Sequence, residues 1–146
     1  MLYRGSKDGF QFSDFERKFF NKKNTVFLIK SRESKKIFGG YTEIAWQKDA
    51  GYQKGNGSSF IFSLRDNFSH AKFKCLNKEK EVDHGPNYLD FGNQNLYIKE
   101  NCNLNKNNCA NLGRGNAYDT NGLDQKDAYK FLAGDEYFTV EEFEVF

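Results

Sequence analysis

From Thr25 onward the apolar residues of this chain come in short runs: TVFLIK, KIFGGYTEI, FIFSLRD, HAKFKCL, NLYIKE and YFTVEEFEVF. Each is closed by a polar or glycine-bearing stretch, the signature of short strands joined by turns. TVFLIK, Thr25 to Lys30, reads as one arm of a hairpin that returns through SRESKK into KIFGGYTEI. Phe60, Phe62 and Leu64 alternate onto one face, and Phe73 and Cys75 lie opposite Lys72 and Lys74. One buried and one solvated face is the pattern of antiparallel sheets. In the last run Phe138 and Val140 share a face, while Phe143 and Val145 are out of phase with them by one residue. A β-bulge at Glu141–Glu142 restores the phase. QKDAGYQKGNGSS reads as a long loop.

Helix signals are few. In SDFERKFF, Ser13 and Glu16 have capping-box spacing, and Phe15 and Phe19 lie four apart on one helical face. Asn21 and the following lysines end that helix. DQKDAYKFL has the length of one or two helical turns, stopped by Gly134. The expected fold is a mainly β domain, two antiparallel sheets packed as a sandwich with short flanking helices. Sixteen Phe, eight Tyr and one Trp supply the core area that a mean hydropathy of −0.83 does not by itself indicate. Disordered chains lack aromatics, and 146 residues suit one domain.

Twenty-two basic and twenty acidic residues are too balanced for a nucleic-acid binder. No apolar run approaches the ~20 residues of a membrane span, and MLYRGSKDGF has no signal-peptide core, which points to a soluble, intracellular chain. The sequons at Asn56 and Asn67 carry no weight in such a chain.

Chemistry-bearing patterns are weak. Gly39-Gly40, GNG at 55–57 and GRG at 113–115 lack the phosphate-binding spacings and open no helix, so they read as turn or packing glycines. DTNGLDQKD places Gly122 at position 4 and Lys130 at position 12, which excludes an EF-hand. Cys75, Cys102, Cys109, His70 and His84 show no zinc-ligand spacing. Cys102 and Cys109 fall in an Asn-rich loop expected to be exposed, where a redox role would need a lowered thiol pKa. Glu142 and Glu144 alternate with Phe143 and Val145 and should face solvent. No catalytic residues, cofactor or metal are expected.

Taken in order, LYRGSKDGFQFSDF, VFLIKS, IFGGYTEIAW, SSFIFSL, FGNQNLYI and FLAGDEYFTVEEFEVF resemble successive motifs of the TLDc domain, in the compact, Asn- and Lys-rich form found in protists. The positions that carry the resemblance are Gly5, Gly9, Phe38, Gly39, Gly40, Trp46, Phe91, Gly92, Tyr97, Gly134, Glu144 and Phe146. The resemblance spans residues 1–146 and implies a β-sandwich that acts without an established catalytic set. It implies resistance to oxidative stress and binding of a protein partner, the peripheral sector of the V-ATPase first among them. It also implies a cytoplasmic protein recruited through that partner to vacuolar or endolysosomal membranes. Nucleic acid, membrane insertion and a small-molecule substrate are not implied. The match begins almost at Met1, so the family's usual N-terminal segment is expected to be lacking and a sheet edge uncovered. Asn93, Gln94 and Asn95 replace a Gly-rich run of the family, which alters the Phe91–Ile98 loop. Sandwich loops carry function, so the expected contacts are Trp46 and Tyr52 in one loop and Asn93, Gln94 and Asn95 in another. The competing readings are an antioxidant enzyme using a Cys or Glu side chain, and a plain scaffold module.

Overall fold

The computed structural model describes residues 1–64 and 70–146. Twelve strands form among them: β1 (Tyr3–Arg4), β2 (Thr25–Ser31), β3 (Ile37–Thr42), β4 (Gly51–Gln53), β5 (Phe60–Leu64), β6 (Ala71–Lys74), β7 (Val82–His84), β8 (Tyr88–Phe91), β9 (Leu96–Lys99), β10 (Asn108–Cys109), β11 (Tyr137–Phe138) and β12 (Val140–Val145). The first sheet has the order β1-β12-β2-β3-β5-β6 and the second β11-β10-β9-β8-β7-β4. Their pairings are antiparallel. Two antiparallel sheets with short helices, α1 (Gly5–Asp8), α2 (Phe12–Phe19) and α3 (Gln125–Ala128), match the expected class. The end of FIFSLRD beyond Leu64 and the sequon at Asn67 lie outside the described residues.

Aromatic rings fill the space between the sheets. Phe27 on β2 stacks on Trp46 at 5.1 Å and meets Phe91 of the second sheet edge-on at 5.5 Å. Phe38 meets Phe138 edge-on at 5.3 Å. Phe15 and Phe19 do share one buried face of α2, packed on Tyr3, Phe27 and Phe143. Of the glycine pair, Gly40 makes the inter-sheet contact possible. A Cβ on Gly40 would lie 2.7 Å from the Phe91 ring, and one on Gly39 would run into the Phe27 carbonyl oxygen and lie 2.9 Å from the Phe62 ring. Gly40 therefore admits a bulky ring from the opposite sheet, and Gly39 lets Phe62 lie across the outer face.

Several expectations are corrected. Helix α2 starts one residue before Ser13: the Asp14 carboxylate accepts the Gln11 N–H at 3.1 Å, so the box sits at Gln11 and Asp14. That start puts Phe12 inside the helix, where it is buried. Phe60, Phe62 and Leu64 do share a face, but it is the outer one; Ile61 and Ser63 turn to the core. The apolar run hid this because both faces of β5 carry apolar residues. The bulge is present between Val140 and Glu142, and Val140, Phe143 and Val145 are all buried. Phe138, however, belongs to the second sheet and Val140 to the first, so the chain changes sheets at Thr139. The long loop contains β4, paired with β7. Its tip is held by Glu81, a fully buried carboxylate that accepts the Gly57 N–H and the Ser59 hydroxyl.

His84 packs on Trp46 at 4.8 Å, and its Nδ1 accepts the Gln47 N–H at 3.2 Å, which leaves the proton on Nε2. Burial lowers its pKa from 6.5 to about 4. A depressed histidine stabilises the fold above its unfolded pKa, and that stability is lost as the pH falls. Between pH 6.5 and 4 the loss should reach about 3 kcal/mol, read by Trp46 fluorescence in urea titrations. His84→Asn should flatten this slope. Gly39→Val and Gly40→Val should each cost at least ~3 kcal/mol, Gly39→Val more, because backbone yields less than a ring. Urea midpoints equal to wild type would show that neither gap is needed.

Candidate interaction face

Register, rather than proximity in sequence, builds the candidate site. On the second sheet Tyr52 lies opposite Asp83, Asp83 opposite Asp90, Asp90 opposite Tyr97, Tyr97 opposite Cys109, and Cys109 opposite Tyr137. One row thus crosses all six strands on the outward face, while Val82, Leu89, Phe91, Ile98 and Phe138 turn inward. Tyr88 stands beside the row, 4.9 Å from the Tyr97 ring, and donates to Asp83 Oδ2 at 3.0 Å.

The β8–β9 turn locks onto this row. Gly92 (φ 80°) and Gln94 (φ 64°) occupy the left-handed region, which lets the Gln94 N–H return to both Asp90 oxygens at 3.1 and 2.8 Å. The Tyr52 hydroxyl donates to Asn93 Oδ1 at 3.3 Å, so the two loops singled out in the sequence meet here. Arg114 donates to Gln94 Oε1 at 2.5 Å and lies 3.4 Å from Glu136. It borders an open depression of about 640 Å³ with Tyr129 and Lys126.

Two of the expected contact residues serve as supports instead. Trp46 is fully buried among Phe27, His84 and Phe91. Asn95 is fully buried, and its amide is shared among the carbonyls of Asn111, Leu112 and Arg114 at 2.7–3.1 Å. Tyr52, 44 % exposed, and the half-buried Asn93 and Gln94 remain at the surface. Among the family-signature positions, Phe38 and Phe91 are core and Tyr97 stands in the row. Gly5 and Gly9 shape the first turn, where the Gly9 carbonyl accepts the Tyr3 hydroxyl at 2.7 Å. Gly134 (φ 89°) ends the turns after α3. Glu144 binds Arg4 on the other sheet, and Phe146 is 47 % exposed. Sequence reasoning missed Asp83, Tyr88, Asp90 and Arg114; alternation along YLDF was the available signal.

The electrostatics separate this face from a thiol active site. Cys102 and Cys109 are buried rather than exposed, because the Asn-rich loop is drawn inward by Asn108, whose amide donates to the Cys102 and Phe138 carbonyls. Burial pushes Cys102 up to about 12 and Cys75 and Cys109 to about 11, so all three are thiols at neutral pH. Among the described residues no group of three or more His, Cys, Asp and Glu side chains is placed to hold a metal ion. Burial, reinforced by the Asp83 charge, raises Asp90 well above the usual carboxylate range. Like charges opposite one another across a strand pair are destabilising. A carboxyl raised on folding stabilises at low pH and loses that contribution as the pH climbs through its folded pKa. Asp90→Asn should therefore raise stability at neutral pH by on the order of 1 kcal/mol, and the gain should vanish below pH ~4. Urea titrations at both pH values check this.

A family model described as the TLDc domain matches residues 1–146. A search among curated proteins gives no match.

Proposed function

The chain belongs to the TLDc domain family, and we propose that it works as a non-enzymatic interaction domain, docking the outer face of its second sheet on a protein partner. Membership of this oxidative-stress- and V-ATPase-associated family makes the V-ATPase peripheral sector the first partner to test. On that reading the protein is cytoplasmic and reaches vacuolar or endolysosomal membranes through the pump. Among the described residues no helix is long and apolar enough to cross a membrane.

The observation that carries the reading is the outward row of Tyr52, Asp83, Asp90, Tyr97 and Tyr137, with Tyr88 beside it. Tyrosine offers large contact area with few rotors and is enriched in binding hot spots. The row rests on paired strands over an aromatic core, so little ordering would be needed on docking. The antioxidant-enzyme alternative finds less support, since burial holds each thiol protonated.

Capture of purified V-ATPase peripheral sector on the immobilised domain, across a salt series, tests the proposal. Tyr52→Ala with Tyr97→Ala should reduce capture by at least ~10-fold while leaving the urea midpoint near wild type. Equal capture by wild type and the double variant would exclude this face. No capture by either would exclude the pump as partner.

A further inference from the structure

The first sheet also presents an unusual outer face. Two registered rows cross it. In one, Arg4 lies opposite Glu144, then Leu28, Gly39, Phe62 and Lys72 follow strand by strand. In the next, Val26, Tyr41, Phe60 and Lys74 follow in the same order. The centre is apolar, with Tyr41 stacked on Phe60 at 5.3 Å and Leu64 40 % exposed. A soluble antiparallel sheet usually solvates this side with polar residues, and a contiguous apolar patch marks an interaction site.

The two edges differ in sign. On β12, Glu142 and Glu144 share the single guanidinium of Arg4, at 3.2 and 3.4 Å, which leaves one carboxylate charge over. On β6, Lys72 and Lys74 are exposed, with the Lys72 ammonium 4.0 Å over the Phe60 ring. At the hairpin end of the acidic edge, Lys30 and Lys35 both bind Glu141 and leave one positive charge beside Ile37.

We propose that this face binds a second copy of the chain, the two first sheets packing face to face about a two-fold axis parallel to the strands and centred on β3. Rotation about that axis exchanges strands on either side of β3 and keeps the rows aligned. Lys72 of one copy then faces Glu144 of the other, Phe62 faces Leu28, and Phe60 faces Val26. Gly39, having no side chain, lies on the axis. The match follows from the register alone, and the same patch serves both copies, as closed two-fold symmetry requires. A face about 20 Å on a side, from five strands ~4.8 Å apart, is at the small end for a homodimer. Association is therefore expected to be reversible and concentration-dependent. This face is opposite the one in the proposed function, and neither reading depends on the other.

Sedimentation equilibrium from low to high micromolar concentration tests the proposal, with circular dichroism confirming the fold of each variant. Wild type should shift from monomer to dimer. Lys72→Glu and Glu144→Lys should each weaken the dimer by ~10-fold, and the double exchange, which restores the cross-copy pair with reversed sign, should recover it. Wild type that stays monomeric throughout overturns the proposal, whatever other partner covers the face. So does a double variant that is no tighter than the singles. Should Glu144→Lys not fold, Lys72→Glu and Leu28→Ser carry the test: both lowering the dimer fraction supports the geometry, and neither doing so overturns it.

Discussion

The contact between the Phe91 ring and the bare backbone of Gly40 is the constraint from which the rest of the sandwich follows. Packed sheets stand about 10 Å apart, and at Gly40 a single added Cβ would already lie 2.7 Å from the Phe91 ring. With no Cβ on Gly40, Phe91 reaches the first sheet and is gripped by Phe27, Trp46 and Tyr118. Strand β8 is thereby set in depth and register. Asp90, the residue before Phe91, must then point outward, and the β8–β9 turn must close over it. The facing pair Asp83 and Asp90 on the outer side of the second sheet is a consequence of how the core is filled.

Much of this architecture was legible in the chain. Alternation marked the strands, the phase break at Glu141–Glu142 located the bulge, and the four-residue spacing of Phe15 and Phe19 identified the buried helical face. The failures over burial share a physical origin: sequence shows which residues share a face, and burial then depends on what lies over that face. Phe60 and Phe62 share a face, as alternation says, yet it is the outer one. Trp46 follows a strand in a polar context but is fully buried against Phe27, His84 and Phe91. Cys102 and Cys109 sit among asparagines that look solvated, although Asn108 spends its amide on buried carbonyls. The candidate face was half legible. Its loop residues Tyr52 and Asn93 could be picked out one by one, but the cross-strand row linking them exists only once six strands are in register.

The two outer faces are built on opposite principles. On the second sheet, polarity is concentrated at a cost: a carboxyl is nearly shut from water and faces another across the strand pair. On the first sheet, apolar rings stand where water would ordinarily be met by polar groups, and the charges are pushed to the edges. Neither pattern helps the isolated domain to fold. Residues that run against stability or solubility while the core beneath is well packed are expected at surfaces shaped by contact with other molecules.

The pairing of β12 between β1 and β2 has a consequence for synthesis. Tyr3 pairs with Val145, and Ile29 with Phe143, so one side of the first sheet is completed only by residues made long after their partners. Until they emerge, the aromatic side of α2 has no Phe143 to rest on, and β2 offers an unpaired edge. Contacts so distant along the chain form slowly, and exposed rings beside an open strand invite association with other nascent chains. A partly made copy of this domain is therefore most open to wrong partners in the interval between the emergence of β2 and that of β12.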